Sequence, residues 1–158
     1  MSSPLAQPAP PAALAGASYL VVRAADERYA LAGAAVRELA RWRAPTPVPG
    51  APALLPGIIS QRGVILPVVD LRLLLALPAA PPDRASRLVI CHHEPVDLAL
   101  LVDGVDDLAT IEPADLAQPP AGLDPRRARL LGAVARHADR PLAVLDLPAL
   151  IAAVQEAM

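Results

Sequence analysis

The chain has 158 residues and a formal net charge of −2, with 54% hydrophobic and only 2% aromatic residues. That length fits one compact domain or two very small subdomains. The near-balanced charge and the scarcity of base-stacking aromatics leave no electrostatic footprint for nucleic acid. A single cysteine excludes an intrachain disulfide framework and points to a reducing compartment. All 14 basic residues are arginine and there is no Phe, so the core must be built from Leu, Val, Ile and Ala. No uncharged apolar run reaches the ~18 residues that span a bilayer. Asp70 and Arg72 interrupt one candidate run, and Asp97 and Asp103 another. The first residues lack the positive stretch of a signal peptide and are broken by prolines. The expectation is a cytoplasmic protein with no direct membrane insertion.

Residues 1–17 are rich in Pro and Ala and carry almost no large apolar side chains. They cannot offset the entropy of ordering, so a disordered tail is expected there. From Ser18 the pattern changes. Tyr19-Leu20-Val21-Val22 and Tyr29-Ala30-Leu31 flank a polar Ala25–Arg28 turn and read as a hairpin. Val36–Trp42 continues as a third strand. Five prolines between Pro45 and Pro56 forbid a helix and favour an extended connection. Ile58-Ile59 then leads to a turn at Gln61-Arg62-Gly63, where Gly makes a positive φ cheap. Val64–Val69 returns as a strand whose unbroken apolar run predicts burial on both faces. Pro67 predicts a bulge or an edge position within it. Asp70 ends the run and is placed to cap a short helix, Leu71–Ala76.

The second half repeats this plan, which divides the segment 18–158 into approximate pseudo-repeats 18–82 and 83–158. At an offset of 69, Leu20-Val21 falls on Val89-Ile90, Ala30-Leu31 on Ala99-Leu100, and Val36–Ala40 on Val105–Ala109. At 75, Gly57-Ile58-Ile59 falls on Gly132-Ala133-Val134; at 76, Val68–Leu71 falls on Val144–Leu147. Leu74-Leu75-Ala76 lands on Leu150-Ile151-Ala152, and Pro148 after Asp146 fits the start of a C-terminal helix. Each half supplies about five short strands, and sheets this small escape edge pairing best by curling into barrels. Two small barrels side by side follow, with strand exchange between the halves left open.

Few residues suggest chemistry. Cys91-His92-His93-Glu94 is the tightest polar cluster, but strand alternation puts His92 on the face opposite Cys91 and His93, and two ligands are too few for a structural zinc site. A two-lobed metal- or small-molecule-binding sensor built on these residues is the alternative reading. Asp70 and Asp146 occupy equivalent positions, and helix capping explains them better than an acid pair does. The Arg-rich stretch Pro125–Arg129 reads as a solvated loop or strand start. There is no phosphate loop, nucleophile elbow or dinucleotide fingerprint. No catalytic residue, metal or cofactor is expected. Arg62-Gly63 is the pair that packing does not require. Glu38 comes within its reach if the two strands are neighbours, and an Arg–carboxylate pair either fixes a loop or presents a fork of donors to a partner.

These residues carry a resemblance to the CheW-like domain family. Pro56–Leu71 resembles its long G-φ-φ-x-x-R-G-x-φ-φ-P-φ-φ-D-L signature, where φ is apolar. Val36-Arg37-Glu38 resembles its V-x-E, Pro45–Pro52 its P-x-x-P connection, Leu101–Val105 its φ-V-D-x-V, and Val144-Leu145-Asp146 its terminal φ-L-D. Ser60-Gln61 stands where the family usually has Asn-Leu, and aromatic core positions are aliphatic here. The resemblance implies a mainly β fold of two packed five-stranded SH3-like barrels with short helices, including a C-terminal one. It implies a non-enzymatic adapter, recruited to membrane-associated arrays, that couples the cytoplasmic tips of chemoreceptors to a CheA-type histidine kinase. It places Arg62, Glu38, Val36, Gly57 and Gly63 at or beside the partner surface.

Overall fold

The computed structural model describes residues 16–158, so most of the Pro/Ala-rich tail lies outside the described residues. Ala17, assigned to that tail from composition, already belongs to the first strand and pairs with Ile111. Ten strands follow in order: β1 (Ala17–Ala24), β2 (Glu27–Ala32), β3 (Val36–Arg41), β4 (Gly57–Gln61), β5 (Val64–Asp70), β6 (Arg87–His93), β7 (Val96–Val102), β8 (Gly104–Ile111), β9 (Leu131–His137) and β10 (Arg140–Leu145). Helix α1 (Leu71–Leu74) follows β5, α2 (Pro125–Leu130) precedes β9, and α3 (Leu147–Ala157) follows β10.

The strands form two five-stranded sheets, ordered β8-β1-β2-β10-β9 and β3-β6-β7-β5-β4. Neither sheet is drawn from one half of the sequence. The first takes two strands from residues 18–82 and three from 83–158; the second does the reverse. The pseudo-repeats are therefore not the two barrels, and the strand exchange left open by the sequence is present. Substituting β6 for β1, β7 for β2, and so on through β10 for β5 turns one sheet order into the other. The parallel ladders that stitch the halves together also correspond, with Val144 opposite Ala30 and Val68 opposite Ala99.

Each sheet is closed by the chain leaving its edge strand. Thr46, beyond β3, makes two 2.9 Å backbone hydrogen bonds with Ile58 of β4, and Ala117, beyond β8, makes the equivalent pair with Val134 of β9 at 2.9 and 2.8 Å. These bridges correct one sequence alignment. Ile58 corresponds to Val134, an offset of 76, so Gly57 matches Ala133 and not Gly132. The reason is a register shift at Val144/Leu145 that leaves Gly132 unpaired in the ladder.

Among the described residues, three apolar clusters form the core. Val21, Ala30, Ala109, Ile111, Ala135 and Leu142 fill the first barrel, and Ile59, Leu66, Val68, Leu88, Ile90 and Ala99 fill the second. The largest cluster joins both sheets to α1 and α3, with Leu31, Leu71, Leu100, Leu130 and Leu150 buried at its centre. Leu and Val dominate because strand alternation sends one face into a barrel and the other into this shared layer. At the point where the chain crosses back to the first sheet, Asp103 acts as a staple. Its amide donates to the Arg23 carbonyl, and its carboxylate accepts from the Ala25 amide at 2.6 Å and Arg72 Nε at 2.8 Å. The aspartate of the V-D-x-V segment is thus structural.

Strand β5 departs from its expected double burial. Val64 and Ile65 are 50% and 62% exposed, while Leu66, Val68 and Val69 are buried. The reason is that β7 pairs only with Val68–Asp70, so the first half of β5 has a neighbour on one side. Pro67 sits in that edge portion, where its missing N–H removes no ladder bond. The Arg-rich stretch also differs from expectation. It is helix α2, N-capped by Asp124, whose carboxylate accepts from the Arg126 amide at 2.8 Å, with Pro125 in the first turn. An Asp-Pro start was the signal for it. Arg127 and Arg129 are bound to Glu27 and Glu156 and are not free in solvent.

Candidate functional site

The Arg62-Gly63 turn projects from the second sheet between β4 and β5. Gln61 pairs with Val64, so the loop has two residues, and both have positive φ, 50° at Arg62 and 80° at Gly63. That is the conformation of a tight primed turn, whose twist matches the flanking strands. Gly63 takes it without cost, whereas Arg62 occupies the left-handed region despite its Cβ. The turn is braced from below by Arg43, whose guanidinium donates to the Ser60 carbonyl and, at 2.8 Å, to Gln61 Oε1. Arg43 was not singled out in the sequence; a third arginine just before the proline run gave no distinguishing signal.

Glu38 reaches this turn because barrel closure brings β3 beside β4. Arg62 Nε donates to Glu38 Oε1 at 2.9 Å and to Oε2 at 3.3 Å. The Arg62 side chain is 78% exposed and Glu38 25%, so the guanidinium still offers unused donors to solvent. The Arg62 hydrogen bond, followed by one from Gln61, holds the Glu38 carboxyl below the usual glutamate range, and the Arg43 charge adds to the effect. Glu38 in turn raises the Arg62 pKa. The contact is exposed and contributes little to stability; its consequence is to fix the direction of the guanidinium.

Val36 and Leu39, on the same strand as Glu38, line an open groove between the sheets with Leu20, Val105, Asp107 and Leu108, enclosing about 460 Å³. Leu39 and Leu108 are 45% and 67% exposed, and they occupy matching positions of β3 and β8. Gly57 is different. It is buried, and a Cβ there would stand 2.3 Å from the Thr46 carbonyl oxygen. It permits the bridge that closes the barrel, and it borders an open pocket with Val48, Leu55 and Pro67 rather than the Val36 groove.

The remaining polar candidates are structural in their settings. Cys91 is buried in the shared core, where burial pushes its thiol up to about 12. Its Sγ lies 3.5 Å from the Val89 carbonyl. His92 is engaged by Asp97 and, at 3.4 Å, by Glu94. Among the described residues no three His, Cys, Asp or Glu side chains are grouped to hold a metal ion. Asp70 and Asp146 cap α1 and α3, accepting from the Leu73 and Ala149 amides at 3.3 and 3.1 Å.

The CheW-like domain model matches residues 18–155, nearly all of both barrels. The chain belongs to the CheW-like domain family. Among its CheW relatives, the chemotaxis protein CheW of Bacillus subtilis strain 168 is 26% identical over 136 residues, covering 86% of this chain and 87% of that protein. The chemotaxis protein CheW of Rhizobium meliloti strain 1021 is 33% identical over 105 residues, covering 66% and 68%. Protein FrzA of Myxococcus xanthus is 31% identical, covering 73% and 72%. The crystal structure of the scaffolding protein TtCheW from Thermoanaerobacter tengcongensis superposes with a TM-score of 0.76 at 25% identity, over 83% of this chain and 89% of that one. Among the described residues, no helix is long and apolar enough to cross a membrane.

Proposed function

We propose that this CheW-like protein is a cytoplasmic, non-enzymatic adapter that couples the tips of chemoreceptors to a CheA-type histidine kinase. The observation that carries the reading is the Arg62–Glu38 pair, because it orients an exposed guanidinium that neither core nor turn requires. Arg62 and Gly63 form the protruding contact, with Glu38 aligning it and Val36 beside it in the groove. The groove between the sheets suits the apolar stripe of a receptor helix, a helix-in-groove mode. The mechanism is thermodynamic. A protein that holds receptor and kinase together raises their effective concentration and biases the kinase between active and inactive states. Its names among relatives, chemotaxis protein and scaffolding protein, support this role.

The test is reconstitution of the chain with purified kinase and receptor fragments. Addition of the chain is expected to change the rate of kinase autophosphorylation and to draw all three into one sedimenting complex. An unchanged rate together with no co-sedimentation sinks the proposal.

A further inference from the structure

The end of the second sheet carries a cationic cup that the adapter reading does not use. Arg41, the last residue of β3, lies directly opposite Arg87, the first residue of β6, in the antiparallel ladder. Like charges in that position repel. Arg84, in the loop before β6, adds a third guanidinium to the same wall, together with Trp42, Asp83 and Ser86, around about 440 Å³.

Among the described residues, the three guanidiniums are left without an ion pair, and the wall carries one carboxylate, Asp83, against three arginines. Six arginines elsewhere in the described chain are ion-paired, namely Arg23, Arg62, Arg72, Arg126, Arg127 and Arg129. Among the described residues, Arg41, Arg84 and Arg87 pair with no carboxylate. The acidic residue on the wall, Asp83, is committed to its own turn: Oδ1 accepts from the Ala85 amide at 2.8 Å and from Ser86 Oγ at 3.4 Å. Arg87 is held in place through Nη1, which donates to the Arg84 and Ser86 carbonyls. Arg41 and Arg84 are exposed and make no side-chain hydrogen bond among the described residues. In a chain of net charge −2, a concentration of unpaired positive charge costs stability in the empty protein and is offset when an anion fills it.

We propose that this cup binds a phosphate group. Three guanidinium forks offer more donors and more charge than one carboxylate accepts, whereas a phosphate carries up to about two negative charges and three acceptor oxygens. The volume exceeds that of a phosphate, so the group bearing it fits beside Trp42, whose ring supplies an apolar wall.

The experiment uses the full chain, with inorganic pyrophosphate in one arm and phosphatidylglycerol-containing or pure phosphatidylcholine vesicles in the other. Calorimetry measures the first arm and co-sedimentation the second. Pyrophosphate binding that weakens about tenfold or more in the Arg41→Gln/Arg84→Gln double variant supports a site for a free phosphorylated ligand. Salt-sensitive binding to the anionic vesicles alone, lost in the same variant, supports a lipid headgroup. No binding in either arm, or binding indifferent to the double variant, overturns the proposal. The double variant is also expected to melt at the same or a higher temperature than the parent at low salt, because repulsion is relieved. A lower melting temperature instead assigns the two arginines to folding and overturns the site.

Discussion

The β4–β5 corner and the β9–β10 corner occupy matching places in the two sheets, yet they carry different chemistry. Both are two-residue turns with positive φ throughout, Arg62-Gly63 in one and Ala138-Asp139 in the other. Both have an acidic residue at the same point of the neighbouring edge strand, Glu38 on β3 and Asp107 on β8. At the first corner the basic partner sits on the turn itself and points outward. At the second it sits on the strand below the turn: His137 Nε2 lies 3.2 Å from Asp107, and its carbonyl accepts from the buried Arg28 at 3.1 Å. One corner projects an arginine that is 78% exposed, and the other holds an imidazole that is 27% exposed against its strand. Matching backbone frames therefore do not make equivalent surfaces.

The largest expected effect separates the frames themselves. Gly57→Val drives a side chain into the Thr46 carbonyl and is expected to cost about 3 kcal/mol, read as a lower urea midpoint at unchanged m-value. The reciprocal Ala133→Gly at the matching position of β9 is expected to cost about 1 kcal/mol or less. Equal losses at the two sites contradict the assignment of Gly57 to the close approach that shuts the second barrel.

Charge reversal distinguishes the corners by function. Arg62→Glu is expected to weaken kinase or receptor binding about tenfold or more while leaving the melting temperature unchanged. His137→Ala is expected to leave binding within about twofold. A large fall in the melting temperature of Arg62→Glu makes Arg62 a structural residue.

Smaller differences should appear at the helix caps. Asp146→Ala removes the cap of the 11-residue α3 and is expected to cost about 1 kcal/mol; Asp70→Ala, capping a single turn, should cost less. Thermal denaturation of both variants ranks them, and the reverse order contradicts the assignment.

The smallest effect is electrostatic. Because Arg62 depresses the Glu38 pKa, the pair contributes fully above the ordinary glutamate range and is lost as pH falls through the lowered value. The Glu38 carboxyl, followed by NMR, should titrate at lower pH in the parent than in Arg62→Ala. Coincident titrations show that the pair does not persist in solution.

Much of the architecture was legible because its signals are local. The Asp-Leu pairs at Asp70 and Asp146 announced capped helices. Arg62-Gly63 announced a turn, and Pro67 announced a bulge or an edge position, of which the edge is found. Other features were hidden in proportion to their distance in the chain. The exposure of Val64 and Ile65 depends on where β7 stops, and the role of Arg43 depends on a turn 18 residues away. The one-residue error at Gly132 arose from a bulge that no residue pattern marked.

Periodicity, turn residues and caps thus set which segments are strands and in what order, since each rests on a few neighbouring side chains. Pairing was decided in three dimensions. Two halves with matching strands satisfy their backbone hydrogen bonds equally well by closing on themselves or by trading strands. The choice depends on which faces bury together in the layer between the sheets. That choice put β3 beside β4 and β8 beside β9, brought Glu38 within 2.9 Å of Arg62, and set Arg41 against Arg87.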